Sequence, residues 1–436
     1  MHLQAGANDS HGDKPLSLGS LKLLRFAMLT TFFPPFNFGG DGIGVERLVK
    51  ALVHRGHEVE VFHDVDAFNS LHQGKTPEAP GPIPGLTIHS MRSGLGVVSP
   101  LLTQQFGRPV VNGRFMRDRL AHGNFDVVNF HNVSLIGGPG LLKYGSGVKL
   151  YMAHEHWLVC PSHVLWRHNR ELCTGRECFR CQLTYRRPPQ LWRPLGYLER
   201  ELDHVDAFIA MSEFSRAKHH EFGFPREMEV IPYFLPDPSP ADQVVSGPRL
   251  HERPYFLFVG RLEKIKGLDD VIPLFAEDRG ADLVIAGDGD YGEHLRALGA
   301  GLPNIHFLGR VDQDRLRRLY RDAIALIVPS VCYETFGIIL VEAFREGLPV
   351  IARNLGPFPE IVKRAQAGEL FDTSADLLVA MERLRSDPDR RDRMAVAGRA
   401  AHLEHWSESA VVPRYLELIE RISLQKKAVA APPSLP

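Results

Sequence analysis

The stretch Pro329-Ser330-Val331-Cys332-Tyr333-Glu334-Thr335-Phe336-Gly337-Ile338-Ile339-Leu340-Val341-Glu342-Ala343 sets two glutamates eight positions apart. Ala323 to Val328, just before it, is a short apolar run, the pattern of a strand buried in a parallel sheet. Thr335 is the expected N-cap of a helix that carries Ile338, Val341 and Leu348 on one side. Glu334 then lies in a loop at the carboxyl end of a strand, where open α/β sheets bind ligands. The free amides of the following helix favour an anion such as a diphosphate. Glu342, about two turns further on, comes within reach of the hydroxyls of a sugar or ribose. The plain alternative, two solvated glutamates on a surface helix, is opposed by the motifs on either side.

Upstream, Tyr255 to Val259 reads as a strand followed by Gly260-Arg261-Leu262-Glu263-Lys264-Ile265-Lys266-Gly267. Arg261 and Lys266 fall at its crossover, placed to hold a diphosphate from two sides. Asp282 to Ala286 and Ile305 to Leu308 are further strands, ending in Gly287-Asp288-Gly289 and Gly309-Arg310-Val311. Val350 to Ala352 leads to the turn Asn354-Leu355-Gly356-Pro357, and Trp406 to Ile422 reads as a terminal helix.

The amino-terminal half shows the same alternation. A strand at Leu21 to Leu29, a loop from Pro34 to Gly44, a helix carrying Val45, Leu48, Val49, Leu52 and Val53, and a strand at Glu58 to Phe62 form a βαβ opening. The loop Gly39-Gly40-Asp41-Gly42-Ile43-Gly44 lets backbone approach a ligand but does not fit G-x-G-x-x-G, which weakens a dinucleotide-binding reading. Strands at Phe125 to Phe130 and Val148 to Ala153 each run into a histidine, His131 and His154. Such a histidine can donate to a sugar hydroxyl or an anion; for His131, a bond to the next loop is expected instead. Ala207 to Met211 is a strand, Ser212-Glu213-Phe214-Ser215 opens a helix, and Asp237-Pro238-Ser239-Pro240 is a linker by composition. No internal sequence repeat joins the halves.

The Glu334/Glu342 spacing resembles the signature of the retaining glycosyltransferases of family 4, which have the two-domain GT-B fold. The resemblance runs from about Leu21 to Ile422 and is most specific over Val259 to Glu360. It implies an α/β chain of two Rossmann-like domains facing across a cleft, with the terminal helix crossing back to the first. The expected division is residues 1–20 disordered, 21–235 acceptor-binding, 236–250 linker, 251–405 nucleotide-sugar-binding, 406–424 crossing helix and 425–436 disordered. Arg261 and Lys266 match the family's basic pair, His154-Glu155-His156-Trp157-Leu158-Val159-Cys160-Pro161 resembles a cleft-wall pattern, and Gly309-Arg310-Val311 stands where relatives place the base. Catalysis is therefore expected of Glu334, His154, Arg261 and Lys266. Donor binding is expected of Gly40, Gly42, Arg261, Lys266, Val311, Glu334, Phe336, Gly337, Ile338 and Glu342.

The departing nucleoside diphosphate gathers negative charge in the transition state. Arg261, Lys266 and the amides from Phe336 to Ile338 would stabilise it without a metal, so no cofactor is required for the chemistry. Glu334 would orient the donor sugar and Glu342 would hold the ribose. The resemblance implies same-face attack by a hydroxyl acceptor, with the leaving phosphate taking the proton, in polysaccharide, glycolipid or glycoside synthesis. A GT-B epimerase or phosphorylase, or a non-catalytic sugar-nucleotide sensor, are the alternatives; donor turnover with and without acceptor separates them.

At 436 residues the chain suits two or three domains, with 44% hydrophobic and 24% charged residues. A formal net charge of -1 gives no global pointer to nucleic acid. No stretch approaches the roughly 20 apolar residues of a membrane span, and the polar first residues do not read as a secretory signal, so the cytoplasm is the expected location. Four of the five cysteines, Cys160, Cys173, Cys178 and Cys181, fall within 22 residues. In a reducing compartment they suggest structural zinc, with His163 or His168 as substitute ligands; packed thiols, or one disulfide with spare cysteines, are the alternatives. Finally, Tyr185 to Tyr197 mixes arginine with Trp192 and two tyrosines, the chemistry of a peripheral membrane contact, unless the rings pack inward.

Overall fold

The computed structural model describes residues 22–72, 77–78, 81–238, 248–276 and 280–430. The terminal segments 1–20 and 431–436, and most of the linker (239–247), lie outside the described residues.

Two parallel sheets carry the fold. The first has seven strands in the order β3-β2-β1-β4-β5-β8-β9. These are β1 (Arg25–Leu29), β2 (Glu58–Asp64), β3 (Leu86–Met91), β4 (Val127–Phe130), β5 (Val148–Ala153), β8 (Ala207–Ala210) and β9 (Met228–Val230). The short antiparallel pair β6 (Trp166–Arg167) and β7 (Glu171–Leu172) stands apart from it. The second sheet has six strands in the order β12-β11-β10-β13-β14-β15. These are β10 (Tyr255–Val259), β11 (Asp282–Ala286), β12 (Ile305–Gly309), β13 (Leu326–Val328), β14 (Val350–Arg353) and β15 (Gly368–Phe371). The central strands are buried on both faces, which is why they read as unbroken apolar runs. In each sheet the order reverses beside the first strand, between β1 and β4 and between β10 and β13. Those two switch points mark the crevices where ligands bind in such sheets.

The helix Gly40–His54 buries Val45, Leu48, Val49 and Leu52 on the first sheet. It begins inside the glycine-rich segment expected as loop. A Cβ on Gly42 would stand 2.4 Å from Asn37 Oδ1, and one on Gly44 would stand 2.2 Å from the Tyr233 ring. These two glycines are thus required by packing within the domain. The helix after β13 spans Ile338–Glu346 with Gly337 as its N-cap, so Thr335 is not the cap and Leu348 lies past the end.

The last helix, Glu408–Ala430, returns to the first domain and runs through residues expected to be a disordered tail. Tyr415 receives a hydrogen bond from Asn129 Nδ2 (2.9 Å) on β4, and Lys426 Nζ reaches Asp206 (2.7 Å) and the Gly147 carbonyl (3.1 Å). One apolar core runs from Phe26 and Met152 through Tyr415 and Trp406 to Phe336 and Leu340, tying the domains together. No helix among the described residues is long and apolar enough to cross a membrane.

Candidate active site

Lys266 follows β10 and Glu334 follows β13, so the second sheet's switch point brings them together. Lys266 Nζ lies 2.8 Å from Glu334 Oε1, which also accepts from Ser330 Oγ at 2.7 Å. Gly267 permits this approach: its φ is +74°, and a Cβ there would stand 2.1 Å from the Pro329 carbonyl oxygen. The Val331 amide binds the Ile265 carbonyl (2.9 Å), fastening the two loops. Burial alone would push the Glu334 carboxyl up, but Lys266 and Ser330 outweigh it and hold the group below the usual range. Burial likewise pulls at Lys266, and Glu334 holds its ammonium above the ordinary value. The pair is therefore fully ionised at neutral pH.

Arg261 stands at the rim, with its guanidinium 2.8 Å from Glu263 rather than on Glu334. The amides of Phe336, Gly337 and Ile338 have no acceptor among the described residues and open the Ile338–Glu346 helix beside Glu334. Together these groups form an anion site with a carboxylate at its edge.

Glu342 points elsewhere. Its Oε1 takes a hydrogen bond from Arg47 of the first domain (3.0 Å) and its Oε2 one from Tyr320 (3.4 Å). It borders a cavity of about 480 Å³ also lined by Arg47, Lys50, Tyr320 and Arg345. Gly40 faces Ile338 across the cleft, 3.9 Å from an added Cβ to Ile338 Cγ2. Val311 is half-buried against the core.

His154 is enclosed. Its Nε2 pairs with His131 Nδ1 at 2.8 Å and its Nδ1 with the Tyr233 hydroxyl, and burial pushes it down to about 4. The outward contact is its carbonyl, which accepts from Thr335 Oγ1 at 2.8 Å. Here the ring orders the first-domain wall and the backbone meets the second domain. Sequence reasoning missed three cross-domain partners: Arg47 on Glu342, Ser212 Oγ on the Thr335 carbonyl (2.7 Å), and Glu360. Glu360 accepts the Glu213 and Phe214 amides at 3.2 and 3.1 Å, capping a helix of the opposite domain. Only Ser212 carried a local signal, as N-cap of that helix.

The cysteines surround the β6–β7 hairpin. Cys160 is buried by Leu165 and Phe222, Cys173 follows β7, and Cys178 and Cys181 sit on the helix Cys178–Thr184. Burial and the charges of the other three thiols push Cys173 up, and the His168 amide donates to Cys181 Sγ at 3.4 Å. His163 and His168 instead face Glu155 (2.6 Å) and Glu177 (3.0 Å). Among the described residues, the one group of three potential ligands with donor atoms within 4.8 Å of one another is His251, Asp282 and His306, so the thiols share a neighbourhood without closing on one point. Of the stretch Tyr185 to Tyr197, Trp192 is packed inward against Trp157 and Tyr197 with Arg193 over the Trp157 and Trp192 rings, while Leu191 and Leu195 stay exposed.

The family model for Glycosyltransferase Family 4 matches residues 38–237, and that for Glycosyl transferases group 1 matches residues 243–401. An uncharacterized glycosyltransferase of Methanocaldococcus jannaschii is 42% identical over 374 residues, covering 79% of this chain and 84% of the relative. The chain belongs to glycosyltransferase family 4. A GDP-mannose-dependent alpha-(1-6)-phosphatidylinositol monomannoside mannosyltransferase of Mycobacterium tuberculosis is 32% identical over 231 residues, 48% of this chain and 60% of that protein. Among solved structures, sucrose-phosphate synthase from Thermosynechococcus elongatus superposes with a TM-score of 0.70 at 18% identity, covering 92% of this chain and 99% of that one. Anabaena HepE in complex with UDP and glucose gives 0.61 at 18% identity, covering 91% and 100%. These likenesses carry the GT-B fold of this family 4 glycosyltransferase.

Proposed function

We propose that the protein transfers a hexosyl group from a nucleoside-diphosphate sugar to a hydroxyl acceptor with retention at the anomeric carbon. The Lys266–Glu334 pair, set against the open amides of the Ile338–Glu346 helix, carries this reading. Arg261, Lys266 and the amides take the diphosphate charge as the glycosidic bond breaks. Glu334 holds hydroxyls of the donor sugar, and Glu342 exchanges Arg47 for the ribose. Expulsion of water by the closed cleft limits hydrolysis. The mannosyltransferase relative, named for a phosphatidylinositol monomannoside substrate, supports a glycolipid acceptor.

A panel of nucleoside-diphosphate sugars with and without acceptor extract tests the reaction class, and the anomeric coupling constant of the product reads retention. Inversion, or turnover without acceptor at the full rate, contradicts the proposal. Lys266→Ala or Arg261→Ala should weaken nucleoside diphosphate binding by about 1.5–3 kcal/mol while leaving nucleoside binding nearly unchanged. Equal losses for both ligands would place the pair away from the phosphates.

We also propose structural zinc at Cys160, Cys173, Cys178 and Cys181. Support comes from four thiols around one hairpin and helix, with a backbone amide already donating to Cys181 sulfur; ligation requires them to draw together. Protein made without a polyhistidine tag should hold about one zinc per chain, and Cys178→Ser should lose metal and thermal stability together. Four freely titrating thiols in a metal-free, fully stable protein would leave the packing role alone.

A further inference from the structure

At the edge of the second sheet away from the cleft, three strands bring two histidines onto one carboxylate. Asp282 opens β11, His306 is the second residue of β12, and His251 lies just ahead of β10. The strand order β12-β11-β10 makes them neighbours. His251 Nε2 stands 2.7 Å and His306 Nε2 2.9 Å from the same oxygen, Asp282 Oδ2, and the two rings lie 4.6 Å apart. The other oxygen, Oδ1, is ion-paired with Arg253 Nη1 at 3.0 Å. Only 2% of the Asp282 side chain meets water, while His251 and His306 keep 20% and 34%.

Two imidazole nitrogens and a carboxylate oxygen converging on one point are the donor set of a zinc-type cation. The three ligand atoms fall within 4.8 Å of one another. Bonds of about 2.0–2.1 Å to a tetrahedral ion put ligand atoms about 3.3 Å apart, so an entering ion displaces each ring by about half an ångström. Both rings border solvent and have room to retreat. Asp282 is fixed by the sheet, where its amide donates to the Pro254 carbonyl at 2.9 Å. Arg253 on Oδ1 leaves Oδ2 turned toward the histidines, as the outer partner of a ligating carboxylate does. The solvent side of the rings leaves a fourth position to water. Lys266 and Glu334 follow the carboxyl ends of β10 and β13, whereas this cluster sits at the amino ends of β10, β11 and β12. The length of β11 separates the two edges by roughly 13 Å, so an ion here takes no part in glycosyl transfer.

We propose that His251, Asp282 and His306 bind a divalent transition-metal ion of the zinc class, which clamps the chain where it enters the second domain from the linker. His251 is thereby tied to the two outer strands β11 and β12. The site shares no residue with the cysteine cluster or with the transfer site, so its failure leaves both of those readings untouched.

Isothermal titration of the full chain with zinc chloride should show about one equivalent bound beyond whatever zinc the purified protein carries, with a rise in Tm that EDTA reverses. Magnesium should give neither, because it prefers oxygen ligands to imidazole. His251→Gln and His306→Gln keep a side-chain amide that can donate to Asp282, so circular dichroism should be unchanged. Each should weaken this equivalent by more than about 100-fold, beyond the roughly 10–100-fold typical of losing an outer partner. Anomalous diffraction at the zinc edge, from wild-type crystals soaked in zinc, locates the ion without any variant. The proposal is overturned if no further equivalent binds, if both variants take up zinc as wild type does, or if the anomalous peak lies away from the three side chains. The trio would then be a hydrogen-bonded staple only.

Discussion

Glu334→Gln is expected to lower transfer by about 10²–10³-fold while nucleoside diphosphate binding stays equal or becomes tighter. In the resting protein Lys266 is neutralised by Glu334 at 2.8 Å. The amide keeps the shape and the Ser330 hydrogen bond but removes that charge, leaving the ammonium to be compensated by an incoming diphosphate. Loss of donor-sugar orientation and gain of anion attraction thus move kcat and nucleotide affinity in opposite directions. Isothermal titration with the nucleoside diphosphate, beside initial rates of transfer, separates them. Transfer at the wild-type rate, or affinity falling in step with rate, would remove Glu334 from this role.

Stability should fall steeply with mild acid. Burial pushes His63, His154, His219 and His402 down to about 4. Unfolded imidazoles take up protons below about 6.5, while these stay neutral in the folded protein until about pH 4. Across that window the unfolded state binds more protons, so stability drops as pH falls. Asp64, raised to about 6 by burial, acts with the opposite sign and offsets part of the loss. From pH 7 to about 5.5 the balance of these groups is a loss of about 4 kcal/mol, or roughly 5 °C in Tm. Calorimetry across this range checks it. A flat Tm would show that these rings are protonated within the fold.

How far the sequence could be read depended on the range of the interactions. β5, β10 and β11 were legible to the residue because burial on both faces leaves mostly apolar runs between turn signals. β3, with the half-polar sequence Leu-Thr-Ile-His-Ser-Met at the sheet edge, offered no such contrast. Lys266 and Glu334 were legible because each follows a strand in a local motif. Their direct contact was not, since it depends on β10 lying beside β13. The enclosure of His154 by His131 and Tyr233, the Arg47–Glu342 pair and the cap from Glu360 join residues 23 to 295 positions apart. No window of sequence displays them. Thr335 shows the same limit: its composition fits a cap, but its hydroxyl is used across the cleft.

That use of Thr335 bears on the timing of turnover. Its hydroxyl is bound to the His154 carbonyl and its own carbonyl to Ser212, both in the first domain, while the adjacent Glu334 belongs to the second. Separating the domains to admit substrate or release product must break both bonds, and must uncap the helix held by Glu360. Glu334 keeps Lys266 and Ser330, which belong to its own domain, but the neighbouring Thr335 is released when the cleft opens and held again when the domains meet. If Glu334 has the proposed role, the position of the loop that carries it is coupled to domain position, and opening of the cleft is expected to limit kcat.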